Sequence, residues 1–66
     1  MYIKVNGEQL EIADNSTIED LLEKLEIPKK RLAVELNGEV LAFSSILITQ
    51  LNEGDSLEVV QAIGGG

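Results

Sequence analysis

The chain has 66 residues with no cysteine and no histidine, and its twelve acidic and five basic residues leave a net charge of −7. That length allows one small domain, burying roughly 60% of the surface its unfolded chain exposes. The missing Cys and His exclude a disulfide scaffold, a thiolate nucleophile, the commonest general base and the soft ligands of a zinc or iron–sulfur site. The acidic excess repels phosphate, which argues against nucleic acid or an anionic membrane as partner and for a basic protein surface, although solubility alone also accounts for it.

After Met1, the stretch Tyr2-Ile3-Lys4-Val5-Asn6 has neither a basic leader nor a long apolar run, so the expected compartment is the cytoplasm. Tyr2 to Val5 alternates apolar and polar positions, and Glu8-Gln9-Leu10-Glu11-Ile12 alternates again. Between them Asn6-Gly7 supplies the two residues at positive φ that a type I′ hairpin turn requires. Period 2 then puts Ile3 and Val5 on one face, pairs them with Leu10 and Ile12, and turns Tyr2 and Lys4 the other way.

Ser16-Thr17-Ile18-Glu19 has the spacing of a capping box, with Ser16 as the N-cap and Glu19 reaching back to its amide. The helix that follows carries one apolar stripe, Ile18, Leu21, Leu22 and Leu25, and Pro28 disfavours helix at Ile27 and ends it. Lys29-Lys30-Arg31 reads as a solvated turn complementing the negative helix end, with a docking patch for an acidic partner as the alternative.

Leu32-Ala33-Val34-Glu35-Leu36 is a third strand, and Asn37-Gly38 repeats the hairpin signal before Glu39-Val40-Leu41. From Ala42 to Leu51 the period is broken. Phe43, Ile46, Leu47, Ile48 and Leu51 are expected to supply apolar contacts from a short strand and irregular or 3₁₀ turns. Asn52 to Asp55 is a turn, and Ser56 to Ile63 is the last strand. Leu57, Glu58 and Val59 alternate, and the longer apolar stretch that starts at Val60 suggests burial on both faces and hence a central place in the sheet.

The order β-β-α-β-β-β with one helix predicts an α+β, ubiquitin-like β-grasp fold: a mixed sheet of four to five strands packed on one helix. The domain spans 1–63, and 64–66 form a flexible glycine tail. The first and last strands pair in parallel if the helix-containing connection crosses the sheet face, right-handed as such crossovers are. The helix stripe then covers Ile3, Val5, Leu10, Ile12, Val34, Leu57 and Val59. Gly64, Gly65 and Gly66 lack a Cβ and make a thread that could enter a narrow slot, holding the terminal carboxylate roughly 10 Å beyond the fold.

Taken together, Val5-Asn6-Gly7-Glu8, Ser16-Thr17-Ile18 with Leu21-Leu22, Ala33 to Glu39, Gly54-Asp55 and the terminal Gly65-Gly66 resemble the ThiS family, the small sulfur carriers of thiamine biosynthesis. Terminal Gly-Gly alone does not discriminate, since ubiquitin-like modifiers and the small subunit of molybdopterin synthase share it, and both stay as alternative functions. One departure is Leu41-Ala42-Phe43-Ser44, where the family commonly has a proline and a basic residue. The resemblance implies a protein substrate and carrier with no catalytic or metal-ligating residues of its own. An E1-like adenylyltransferase of the ThiF type would use ATP and Mg²⁺ to activate Gly66, with Gly64 and Gly65 threading its slot. A cysteine desulfurase would be the sulfur source, and a thiazole synthase of the ThiG type would receive the sulfur. The expected docking surface is the sheet face away from the helix, with Val60, Ala62, Tyr2 and Ala33 on it and Glu35, Glu39 and Glu58 as acidic candidates.

Overall fold

The computed structural model describes residues 1–61. Its elements are β1 (Tyr2–Val5), β2 (Glu8–Glu11), α1 (Ile18–Lys24), β3 (Leu32–Leu36), β4 (Glu39–Val40), a 3₁₀ turn at Phe43–Ser45 and β5 (Ser56–Gln61). They form one five-stranded sheet in the order β2-β1-β5-β3-β4, parallel between β1 and β5 and antiparallel elsewhere, with the helix on one face. This is the expected α+β arrangement, with the last strand central.

Both Asn-Gly pairs turn as their chemistry requires: Asn6 and Gly7 have φ of 51° and 84°, Asn37 and Gly38 of 51° and 87°. They set the registers Val5↔Glu8 and Leu36↔Glu39. The core holds Ile3, Val5, Ile12, Ile18, Leu21, Leu22, Val34, Ile46, Leu51, Leu57 and Val59, with Leu10 half-buried at its margin.

The helix begins and ends differently from the sequence expectation. Its N-cap is Thr17, not Ser16: the Thr17 hydroxyl accepts from the Asp20 amide at 3.2 Å, and the Asp20 carboxylate accepts from the Thr17 amide at 2.9 Å. Ser16 and Thr17 offer two overlapping capping registers, and tertiary contacts choose between them. The Ser16 hydroxyl donates to the Ala13 carbonyl at 2.6 Å, and its own carbonyl accepts from the Leu51 amide at 2.8 Å, so Ser16 is tied into the preceding loop. Pro28 does not end the helix. The Glu26 amide donates to Glu23 O at 3.2 Å and the Ile27 amide to Leu22 O at 2.9 Å, a Schellman closure with Glu26 at φ 58°. Leu25 therefore lies on the cap and is exposed, leaving Ile18, Leu21 and Leu22 as the buried stripe.

The irregular stretch after β4 closes the other helix end. Thr49 O and Leu47 O accept the amides of Ile18 and Glu19, at 2.9 and 3.4 Å, two of the donors that every helix start leaves unpaired. Instead of a strand there is a 3₁₀ turn and one isolated bridge, Thr17 to Gln50. Ile46 and Leu51 join the core, whereas Phe43 and Ile48 point outward and do not pack as expected.

Candidate functional site: the last strand and the open sheet face

The central strand β5 leads into residues 62–66, so the expected working residues Gly64, Gly65 and Gly66, and the expected docking residue Ala62, lie outside the described residues. What the structure defines is the strand that carries them. In β5 Leu57 and Val59 are buried while Val60 is 60% exposed, so the strand alternates and is not buried on both faces. Among the described residues only one helix packs on the sheet, and none of them covers the second face.

Parallel to β5, strand β1 donates from its Lys4 amide to Asp55 O and from its Asn6 amide to Leu57 O, both at 2.8 Å. There β1 turns away. The next rung is made by a side chain: Asn6 Oδ1 accepts the Val59 amide at 2.8 Å, and Asn6 Nδ2 donates to Val59 O at 3.3 Å. Asn37, in the second hairpin turn, makes half of this contact at the start of β5: its Oδ1 accepts the Ser56 amide at 2.9 Å, while its Nδ2 donates to the side chain of Asp55, at Oδ1, 3.0 Å away. At the other end the Gln61 side chain donates to Pro28 O and Lys30 O, at 3.4 and 3.3 Å.

The open face is laid out in rows by the strand registers. Ala33 stands opposite Val60, and Glu35 stands opposite both Glu58 and Val40. Lys4 stands level with Ser56 and Gln9, and Tyr2 with Glu11. The face is thus apolar near the exit of β5, acidic in the adjoining row and polar at its far end. Tyr2 shares this face but not the Val60 patch. Its carbonyl accepts the Gly54 amide at 2.8 Å, which puts it six residues before Val60 along β5, roughly 20 Å away at the rise of a strand. Parity alone grouped Tyr2 with Val60 and Ala33; the parallel register separates them. Val40, 75% exposed beside Glu35, belongs to the face and was not assigned to it from the sequence, although the Asn37-Gly38 register suffices to place it. Glu39 lies opposite Leu36, off the open face.

Two carboxylates facing each other across a strand pair disfavour the fold, and Glu35 and Glu58 are such a pair at the centre of the open face. On the helix two carboxylates are compensated. Lys29 Nζ bridges Glu23 at 2.6 Å and Glu19 at 3.1 Å, tying the loop after α1 back onto the helix. Hydrogen bonding to Glu23, then to Glu19, raises the Lys29 pKa above its ordinary 10.5.

A model of the ThiS family matches residues 3–66 of this chain. The chain is 39% identical over 66 residues to a protein named thiazole synthase from Paramagnetospirillum magneticum (strain ATCC 700264 / AMB-1), covering all of this chain but only 20% of that protein. It is 31% identical over 65 residues to the sulfur carrier protein ThiS of Bacillus subtilis (strain 168), covering 97% of this chain and 98% of that one. In three dimensions it matches the crystal structure of the thiamine biosynthesis protein ThiS from Geobacter metallireducens with a TM-score of 0.80 and 33% identity, over 100% of both chains. A β-grasp sheet and a family match running from the first strand to the last glycine agree, and the chain belongs to the ThiS family of small sulfur carrier proteins in thiamine biosynthesis.

Proposed function

We propose that the carboxyl group of Gly66 is the reacting group and that the rest of the chain presents it to partner enzymes. At neutral pH that carboxylate, with a pKa of about 3.3–3.7, is ionised and a poor electrophile. In this reading an E1-like enzyme supplies ATP and Mg²⁺, the carboxylate oxygen attacks the α-phosphorus, and pyrophosphate leaves. The acyl-adenylate has a good leaving group in AMP. The outer sulfur of a desulfurase persulfide attacks the acyl carbon and AMP leaves; a thiol reductant then cleaves the S–S bond of the resulting acyl disulfide, taking the donor cysteine as a mixed disulfide and leaving the thiocarboxylate. That thiocarboxylate then serves a thiazole synthase in the cytoplasm.

The observation that carries this reading is the extent of the family match, which runs through Gly66 and so takes in the glycine thread as well as the fold. Transfer to a thiazole synthase is supported by the relative of that name, which contains a stretch similar to this whole chain within a protein about five times longer. Joining a carrier to its acceptor raises the effective concentration of one for the other. The Ala33–Val60 patch with the adjoining Glu35, Glu58 and Val40 is the docking surface in this scheme, because a small domain that leaves an apolar patch open beside its reactive end has a use for it.

The test is intact mass spectrometry after incubation with an E1-like enzyme, ATP, cysteine and a desulfurase. The expected product has one oxygen replaced by sulfur. Conjugates of higher mass joined through lysine would replace this reading with that of a protein modifier.

A further inference from the structure

We infer that Asn6 is a positioning residue for the carboxyl-terminal thread: its side chain holds in place the end of β5 to which that thread is joined. The inference rests on the reading of Gly66 as the reacting group. Asn6 lies 53 positions before Val59 in sequence, yet its amide group takes both the N–H and the C=O of Val59. This is the geometry of a ladder rung supplied by a side chain where the neighbouring strand has already turned away. On the β1 side of β5, named pairs stop at Leu57, and among the described residues nothing but Asn6 bonds the Val59 backbone on that edge. On the other edge β3 pairs as far as Gln61, whose side chain also holds the loop carbonyls of Pro28 and Lys30. Without Asn6, the last turnings of β5 are held from one side only.

The type I′ turn explains why an asparagine can occupy this position, since Asn6 sits at φ 51°. It does not explain the choice, because glycine satisfies the same backbone. What asparagine adds is an amide that donates and accepts in one plane, matching the two groups of a strand residue. Asn37 is the internal control. It occupies the same turn position and its Oδ1 likewise accepts a β5 amide, but at Ser56, the end remote from the thread, while its Nδ2 donates to the Asp55 carboxylate and not to a strand carbonyl.

Asn6→Gly and Asn37→Gly keep both turns and each delete one clamp, so they form a matched pair. Amide order parameters are measured at Val59 and Gln61 without any partner, and the apparent KM and kcat for adenylation are measured with an E1-like enzyme, ATP and each full-length variant. Asn6→Gly is expected to lower order at Val59 and Gln61. It should also raise KM by about five- to fiftyfold at unchanged kcat, the net worth of two hydrogen bonds expressed as a ratio. Asn37→Gly is expected to change neither, and Asn6→Asp, which retains the acceptor for the Val59 amide, should recover part of the loss. Unchanged order at Gln61 in Asn6→Gly overturns the inference, as does lowered order with unchanged KM, or an equal rise in KM for Asn37→Gly. If the wild-type chain is not adenylated at all, the proposed function fails with it. The order parameters then still report separately whether Asn6 holds the strand.

Discussion

Glu26 adopts φ 58°, the left-handed region, to close the Schellman turn after α1, and a residue with a Cβ is strained there. Its carboxylate also sits at the negative end of the helix dipole. Both effects run the same way, so Glu26→Gly should stabilise the domain by about 1 kcal/mol, read as a higher urea midpoint at unchanged slope. A lower midpoint would mean that the side chain makes a compensating contact. From the sequence this position looked like ordinary polar helix, because Pro28 was the visible stop signal; the left-handed residue is set by the packing of Ile27 back against the core. Lys29, just beyond, illustrates a surface network whose sign is readable. Its raised pKa means that any stabilisation is present below the ordinary value of 10.5 and lost as pH rises through the folded pKa, so docking of the 28–30 loop should loosen in strong alkali while neutral pH leaves it intact. Alkaline titration followed at the Lys29 side chain by NMR checks the direction.

Strand β5 joins the core to the open face through adjacent residues. Val59 is 8% exposed and Val60 60%, so the same substitution at the two positions should separate stability from binding. Val59→Asp puts a carboxylate in the core and should unfold the domain, whereas Val60→Asp should cost no more than about 1 kcal/mol in strand propensity. If the Ala33–Val60 patch is the docking surface, Val60→Asp should weaken the complex with the activating enzyme or with thiazole synthase in a pull-down or titration. Full affinity for both would remove that surface from the scheme. The parity of β5 was legible in Leu57-Glu58-Val59, but the apolar stretch starting at Val60 read as a strand buried on both faces. A run of apolar residues cannot say how many layers will cover it, and here one helix covers one side.

At the scale of the whole molecule, a charge of −7 on so small a body gives a field that reaches beyond contact distance. Association with a basic partner should be steered by it and should slow as salt rises, since charges more than about 8 Å apart are largely screened at physiological ionic strength. Stopped-flow association rates against ionic strength test this, with a flat profile counting against any electrostatic role. Glu35→Gln or Glu58→Gln should reduce the slope and, by relieving the facing carboxylates, raise stability by a few tenths of a kcal/mol to about 1 kcal/mol. The local chemistry of the chain determined both hairpin turns, the helix stripe up to Leu22 and the alternation of β1 and β3, because turn residues and side-chain periodicity act over a few neighbours. It also determined the family, through short motifs spread in order along the chain. Only the tertiary structure decided which of two overlapping caps starts the helix, how the 42–51 stretch lends its carbonyls to that helix, and how far Tyr2 lies from Val60. It also turned two turn asparagines into clamps on a strand distant in sequence. Each of these depends on groups brought together from far along the chain, and neither periodicity nor propensity carries the register between them.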